Sequence, residues 1–287
     1  MTSREAANVG RGMRSYTADM DSKRLSQERF GRYAASYVRS SAHAQGPDLE
    51  RIVELVGEQP SWEALDIATG GGHTALAVAP HVAHVTATDI TGPMLATAQK
   101  FIESRGATNI DFRSADAEDL PFAQDSFDLV TCRIAAHHFP APDRFVEEVV
   151  RVLRPQGLFI LQDMLAPQDP DAASWINRFE QRRDPSHHRS LSQAEWEHLL
   201  SSQAFTIETI DRFEKRLSLE RWVSDQEGSK EDLAGLRELL RHAPEATRAW
   251  MRPSALKGSE AAFSIIHCVF SARSGPTTSH RRRSATP

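Results

Sequence analysis

Short apolar runs of strand length alternate with helical stretches from residue 64 to residue 161. The strand-like runs suit a pleated surface and lie at Ala64–Ala68, Val82–Thr88, Asn109–Arg113, Phe127–Arg133 and Leu158–Leu161. The helical stretches lie between them, at His73–Ala79, Pro93–Ser104 and Phe145–Leu153. Such alternation requires right-handed crossover units and a mostly parallel sheet with helices on both faces. We therefore expect a doubly wound α/β chain whose ligand binds at the carboxyl ends of the strands.

The pattern changes after Asp163. Residues 166–202 and 217–250 are helical in pattern, and further strands are predicted at Phe205–Arg212 and Ala262–Phe270. We interpret residues 166–203 and 215–255 as helical lid insertions within one domain, residues 25–273. Residues 1–24 and 274–287 are polar, and we predict disordered tails because such sequences bury too little apolar surface to offset the entropy of ordering.

Composition excludes several classes of protein. The 287 residues contain no apolar run near the roughly 18 that a membrane-spanning helix needs, and the net charge of −5 disfavours a nucleic-acid-coating surface. The two cysteines are far apart in sequence, which is typical of reduced thiols. No apolar signal sequence follows the basic N-terminus. We predict a cytoplasmic protein that binds neither membranes nor nucleic acid.

The strongest chemical signal is the segment Leu65–His73, in which Gly70, Gly71 and Gly72 separate a strand from a helix. Glycines let the backbone approach a ligand, and the helix N-terminus offers free N–H groups. Gly70, Gly72 and Ala75, with Asp89 at the end of the next strand, fit a dinucleotide fingerprint. Asp66 favours a different ligand, because a carboxylate there would repel a diphosphate and attract an ammonium group.

Further segments carry a family resemblance, and they come in order as Asp66–Gly72, Asp89, Asp116-Ala117, Leu120–Phe122, Ser126–Val130 and Leu153–Gly157. Together they resemble the class I S-adenosylmethionine-dependent methyltransferases of the UbiE-like superfamily. The segment Arg182–His187 resembles a bacterial subgroup of that superfamily. The resemblance implies a seven-stranded Rossmann-like sheet with an antiparallel last strand, and S-adenosylmethionine as cofactor.

The resemblance also implies roles for individual residues. The turn from Asp66 to Gly72 would cradle the methionine part of the cofactor, and Asp89 would hold the ribose. Ile90 would pack on the adenine, with Asp116 accepting its amino group and the Ala117 amide donating to it. The full set of expected cofactor residues is Asp66, Ala68, Thr69, Gly70, Gly72, Asp89, Ile90, Met94, Asp116, Ala117 and Arg133.

Two positions depart from the family pattern. Ala68 stands where the first glycine of the loop is usual, and Gln156 stands where a second glycine after Pro155 is usual. The methyl group of Ala68 should narrow the loop without blocking it. Gln156 is expected at a turn away from the cofactor.

The candidate catalytic residues are histidines. His137 and His138 follow the fourth strand, and His187 lies in the basic segment after the first insertion. A histidine titrates near neutral pH and suits a general base, although each could equally be a structural residue bonded to a loop carbonyl. The basic segment could bind an anion or form a structural cluster of salt bridges. Neither the His137-His138 pair nor the His187-His188 pair has the i, i+4 spacing of a zinc site, so no metal is predicted.

Aromatic residues leave two further alternatives open. Phe30, Tyr33, Ala34 and Tyr37 share a helical stripe, which predicts ordinary packing of an N-terminal helix, a lid over the cofactor, or both. Trp175, Phe179, Trp196 and Trp222 could line an apolar substrate pocket or belong to the core.

These observations together predict in-line methyl transfer from S-adenosylmethionine to a small-molecule acceptor. The alternatives are an NAD-dependent oxidoreductase, on the glycine pattern and Asp89, and a non-catalytic domain that binds the cofactor. The acceptor and the element methylated are left open. A homodimer is one expectation for the oligomeric state.

Overall fold

A computed structural model describes residues 19–34, 45–225 and 228–276, and its seven-stranded sheet is built from the alternating pattern. The strands are β1 (Gln59–Ile67), β2 (Val82–Asp89), β3 (Ile110–Ser114), β4 (Phe127–Arg133), β5 (Leu153–Met164), β6 (Phe205–Ser218) and β7 (Ala262–Ser274). Their order across the sheet is β3-β2-β1-β4-β5-β7-β6. Neighbours from β3 to β5 are parallel, whereas β7 is antiparallel to both β5 and β6. The α/β class and the antiparallel last strand are confirmed.

The helices of the described residues cover the sheet and extend beyond it. A first helix, α1, covers residues 19–34. The others are α2 (Pro47–Val56), α3 (His73–Val78), α4 (Gly92–Ser104), α5 (Pro142–Val152), α6 (Pro170–Arg183), α7 (Gln193–Ser202), α8 (Leu219–Ser224), α9 (Lys230–Arg241) and α10 (Glu245–Met251). None of the helices in these ranges is both long and apolar enough to cross a membrane.

Two apolar clusters lie on opposite faces of the sheet. Ile52 of α2 and Ile102 of α4 pack against one face, and Phe145 of α5 and Trp196 of α7 pack against the other. Strand β4 lies in the centre of the sheet and is buried along almost its whole length, as is usual for a parallel strand covered on both faces. A third cluster joins α6, α8, α9 and α10 to the end of β7. These helices come from the segments predicted as insertions, but α7, in the first of those segments, packs against the sheet instead.

Several predicted boundaries differ from the structure; for example, β1 begins at Gln59 and β5 covers Leu153–Met164. Residues 19–24 belong to α1, so the prediction of a disordered tail is wrong for them. Strand β6 continues past Arg212 to Ser218, and β7 continues past Phe270 to Ser274, because each pairs with the other over its whole length. The remaining tail residues, 1–18 and 277–287, lie outside the described residues.

Candidate functional site

The glycine turn between β1 and α3 is left-handed at alternate residues. The angle φ is 52° at Ala68, 54° at Gly70 and 83° at Gly72. A Cβ atom added to Gly70 would lie 3.5 Å from the methyl carbon of Met94, which is an ordinary contact distance. A Cβ atom added to Gly72 would lie 2.7 Å from the Cδ1 atom of Ile102, which is too close. Gly72 therefore lets the turn pack on α4. Gly70 lines a cavity at the carboxyl edge of the sheet, which is also lined by the ends of β2 and β4 and is called the cavity below.

Asp66 lies beneath this turn. Its two carboxylate oxygens accept hydrogen bonds of 2.6 Å from the hydroxyl groups of Thr69 and Thr131. Burial raises the pKa of Asp66 to about 6, and the two hydroxyl groups act against that rise. Asp66 does not line the cavity. Its position indicates support of the turn, and the expected contact with an ammonium group is not part of this geometry.

Asp89 ends β2 at the carboxyl edge of the sheet and lines the cavity. Its carboxylate accepts the Gly70 amide at 3.1 Å and the Thr91 amide at 2.8 Å. Burial raises the pKa of Asp89, while these amides act to lower it. A carboxylate has about four acceptor positions, so the two amides leave acceptor capacity for a ligand hydroxyl group.

One side of the cavity combines apolar and acidic groups. Ile90, Met94 and Ala117 line it together with Asp116. The Nζ atom of Lys23, on α1, lies 2.6 Å from Asp116 Oδ2 and 2.5 Å from Glu118 Oε2. The acidic residue expected to hold an adenine amino group is therefore paired with a cation from the first helix.

Arg133 ends β4 and borders the other side of the cavity. Its guanidinium group lies 2.7 Å from Asp48 Oδ2 at the start of α2, and its side chain is 4% exposed. The neighbouring Ile134 has a φ of 53°, which is a strained conformation for a β-branched residue. The chain therefore turns sharply where β4 meets the cavity.

His138 is the one of the three candidate histidines that lines the cavity. Its Nδ1 atom is 2.8 Å from the carbonyl oxygen of Ser186, and Phe30 packs edge-on against its ring at 4.9 Å. Burial, then the charge of His137, lowers the pKa of His138 to about 4. The ring is therefore neutral at physiological pH.

His137 and His187 lie behind His138, with ring centroids 4.1 Å and 6.5 Å from it. His137 bonds through Nδ1 to Asp163 at 2.6 Å, and His187 bonds through Nε2 to Asn177 at 2.8 Å. Burial acts to lower the pKa of His137, but Asp163 outweighs it and raises that pKa. Neither residue lines the cavity, so the structure groups the three histidines and gives access to one.

The sequence did not indicate several residues that line the cavity. Lys23 and Ser26 come from α1 and Glu118 from the loop after β3. Their positions in polar stretches of sequence gave no signal, because only the folded chain brings α1 and this loop to the cavity. Phe30, expected on the helical stripe, lies in the cavity wall; Tyr37 of that stripe lies outside the described residues.

The remaining aromatic candidates belong to the core. Phe179, Trp196 and Trp222 are buried, and Trp175 stacks on Phe179 at 5.3 Å. None of the four lines the cavity. In the basic segment, Asp184 pairs with Arg29 at 3.0 Å, which agrees with the salt-bridge alternative.

The comparisons with known proteins agree with this geometry. A family described as a methyltransferase domain matches residues 65–161. The chain is 37% identical over 194 residues to the uncharacterised methyltransferase YcgJ of Bacillus subtilis, covering 68% of this chain and 77% of that one. A ubiquinone/menaquinone biosynthesis C-methyltransferase UbiE of Brucella canis is 29% identical over 163 residues, covering 55% of this chain and 59% of that protein.

A solved structure extends the agreement to the fold. The putative methyltransferase BH2331 of Bacillus halodurans superposes with a TM-score of 0.77 at 34% identity, over 80% of this chain and 100% of that one. The matched region contains the glycine turn, Asp89, Asp116 and the histidines after β4. The chain therefore belongs to the class I S-adenosylmethionine-dependent methyltransferases.

Proposed function

We propose that the chain methylates a small-molecule acceptor that must lose a proton, with His138 as the general base. One observation carries the proposal: the cavity that contains the glycine turn and Asp89 also contains His138. A cofactor site and a base therefore share one enclosed space.

The residues that line the cavity fit S-adenosylmethionine better than a dinucleotide. Among the described residues, its charged lining consists of Asp89, Asp116, Glu118, Lys23 and Arg133. Carboxylates outnumber cations, which favours a ligand of net positive charge and disfavours a diphosphate. Gly70 leaves space at the turn that a Cβ atom would fill.

Asp89 and the turn would hold the cofactor, with Asp116 and Ile90 at its adenine end. When bound, the cofactor supplies a methyl group activated by a sulfonium centre. The walls formed by Phe30, Phe139 and Pro140 exclude water from the reacting atoms.

The proton step follows from the tautomer of His138. The Ser186 carbonyl oxygen only accepts hydrogen bonds, so Nδ1 carries the proton and Nε2 carries the lone pair. In methyl transfer, the acceptor atom would bond to the methyl carbon supplied by the cofactor as the carbon–sulfur bond broke. The acceptor proton moves to Nε2 of His138.

Binding of S-adenosylhomocysteine, NAD⁺ and NADH, measured by thermal shift and calorimetry, tests the cofactor. A ligand at 100 times its Kd stabilises the native protein by about 2.7 kcal/mol. S-adenosylhomocysteine alone should raise the melting temperature, and Asp89→Ala should remove most of that shift. A shift with NAD⁺ or NADH alone would contradict the proposal.

Turnover tests the base. Incubation with S-adenosylmethionine and panels of phenols, amines and carbon acids identifies an acceptor by release of S-adenosylhomocysteine. His138→Gln should then slow transfer by roughly 10²- to 10⁴-fold while the affinity for S-adenosylhomocysteine stays within about twofold. A variant as fast as the parent protein would show that His138 is not the base.

A cytoplasmic location and a homodimer stay predictions from the sequence.

A further inference from the structure

The loop after α6 reaches a cavity-lining residue through His138. Ser186 does not line the cavity, but its carbonyl oxygen accepts the Nδ1–H group of His138 at 2.8 Å. Because Nδ1 and Nε2 lie on different edges of the ring, this bond leaves the Nε2 edge available to the cavity. The position of Ser186 therefore determines which nitrogen of His138 is basic.

Asp184 holds Ser186 in place. The Asp184 Oδ1 atom accepts the Ser186 amide at 2.9 Å and the Ser186 hydroxyl at 2.5 Å. The Asp184 side chain is 4% exposed, so these bonds form in a site with little competition from water. A change at Asp184 is therefore expected to move the Ser186 carbonyl.

Helix α1 supplies the counter-charge. Arg29 lies 3.0 Å from Asp184 Oδ1 through Nε, and its Nη2 group donates to the Arg183 carbonyl oxygen at 3.1 Å. Phe30, the next residue on α1, packs against the His138 ring. Helix α1 therefore contacts both Asp184, through Arg29, and His138, through Phe30.

The other two histidines have separate partners. Asp163 accepts the Nδ1–H and the amide of His137, and Asn177 bonds His187 and accepts the Ser190 amide. Neither group bonds His138 among the contacts of the described residues. The link through Ser186 is therefore specific to the histidine that lines the cavity.

We propose that Asp184 is a positioning residue, anchored by Arg29, that holds His138 in its Nδ1–H tautomer through the Ser186 carbonyl. The inference rests on the proposed role of His138 as base. In this proposal the segment around Asp184 orients the base for the reaction. His138 has its lone pair on Nε2 only while Arg29 of α1 stays bound to Asp184.

Nitrogen NMR of histidine-labelled protein tests the proposal without any acceptor, because the two imidazole tautomers give different nitrogen shifts. His138→Gln assigns the His138 signals. We expect the parent protein to show the Nδ1–H form, Asp184→Ala to populate both tautomers comparably, and Asp184→Asn to lie between them. The asparagine keeps an acceptor for Ser186 but loses the charge that binds Arg29.

Asn177→Ala is the matched control, since it removes a partner of His187 from the same region. It should alter the His187 signals and leave the His138 tautomer unchanged. If Asp184→Ala does not fold, Arg29→Gln removes the anchor from a surface helix and should produce the same mixture of tautomers to a smaller extent.

An unchanged His138 tautomer in the Asp184 and Arg29 variants would overturn the proposal, as would an equal change in Asn177→Ala. With an acceptor identified, kcat should fall about 10- to 100-fold in Asp184→Ala with little change in KM. A kcat equal to that of the parent protein would also overturn it. Failure of the parent protein to bind S-adenosylhomocysteine contradicts the proposed function instead, since the tautomer measurement needs no cofactor.

Discussion

At the residue scale, the turn after β1 depends on backbone angles that glycine adopts without steric cost. Ala68 has a φ of 52° there, and Gln156, the second departure from the family pattern, has a φ of 63°. A left-handed residue other than glycine costs roughly 1–2 kcal/mol. Both departures therefore lie where the backbone favours glycine, and the chain accommodates the strain at each.

Replacing Ala68 by glycine should relieve this strain. We expect a gain in the free energy of unfolding of up to about 1 kcal/mol, because the relief exceeds the added entropy of the unfolded chain. Ala204, with a φ of 63° and no place in the cavity lining, is the matched control. Both variants should gain stability in urea unfolding, and only Ala68→Gly should change the affinity for S-adenosylhomocysteine. Equal affinities in the two variants would contradict a role for Ala68 at the site.

Gly70→Ala should weaken cofactor binding at least tenfold while the fold is kept. The added methyl group projects into the cavity beside Met94 and meets no backbone closer than 3.9 Å. Gly106 has a φ of 78° and nothing within 4 Å of a built Cβ, so Gly106→Ala carries similar strain away from the cavity. Calorimetry with S-adenosylhomocysteine should show the loss in Gly70→Ala alone. A similar loss in both variants would assign the effect to stability.

Short-range motifs in the sequence pointed to two of the residues that line the cavity. Gly70 and Asp89 were found because each follows a strand, where the topology fixes its position. Asp184 and Lys23 were not found, because their partners are distant in sequence and only the fold brings them together. Asp66 was assigned to the ligand, but the two threonine hydroxyl groups that hold it come from the turn and from β4.

At the scale of elements, α1 forms part of the cavity wall and is bonded to the side that contains Asp116 and Ile90. Lys23 pairs with Asp116 and Glu118, and Gln27 donates to the Ile90 carbonyl oxygen at 3.0 Å. We therefore expect α1 to leave at least one of these contacts when a cofactor enters. The sequence predicted disorder for part of this helix because its polar face gave no sign of the ion pairs.

Lys23→Met should accelerate the association of S-adenosylhomocysteine by a few fold, since it removes an ion pair that closes α1 over the adenine end. Arg24 is the control on the same helix, because its side chain is 67% exposed and pairs only with Asp21 and Glu28 among the contacts of the described residues. Stopped-flow binding should show the acceleration in Lys23→Met and none in Arg24→Met. Unchanged association in Lys23→Met would mean that α1 does not limit entry.

At the scale of the whole molecule, buried neutral histidines make the fold sensitive to acid. Burial lowers the pKa of His138 and of His267 to about 4, below the ordinary 6.5. The unfolded chain then binds more protons between these values, so stability is lost as pH falls from 6.5 towards 4. Each shift corresponds to about 3 kcal/mol. The pKa of His187, lowered to about 2 by burial, acts in the same direction. The raised pKa values of Asp66, Asp89, Glu180 and His137 have the opposite sign and offset part of the loss.

Thermal unfolding between pH 7 and pH 5 should therefore show a falling melting temperature. His267→Gln should flatten this dependence, because it removes one of the groups that take up a proton when the protein unfolds in this pH range. His242→Gln should leave it unchanged, since the His242 side chain is 74% exposed. A parent protein equally stable at pH 5 and pH 7 would contradict the pKa shifts.

The strand order also sets when the sheet can be completed. Strand β6 is made before β7, yet β7 pairs with both β5 and β6 and lies between them. During synthesis, at about 5–20 residues per second, β6 leaves the ribosome with no partner strand, and one edge of β5 stays open. The 43 residues from 219 to 261, which include α8, α9 and α10, must follow before β7 can insert. The nascent chain thus passes through a stage in which the edges of β5 and β6 that will bind β7 are unpaired. At this stage a chaperone that covers strand edges would prevent the most aggregation.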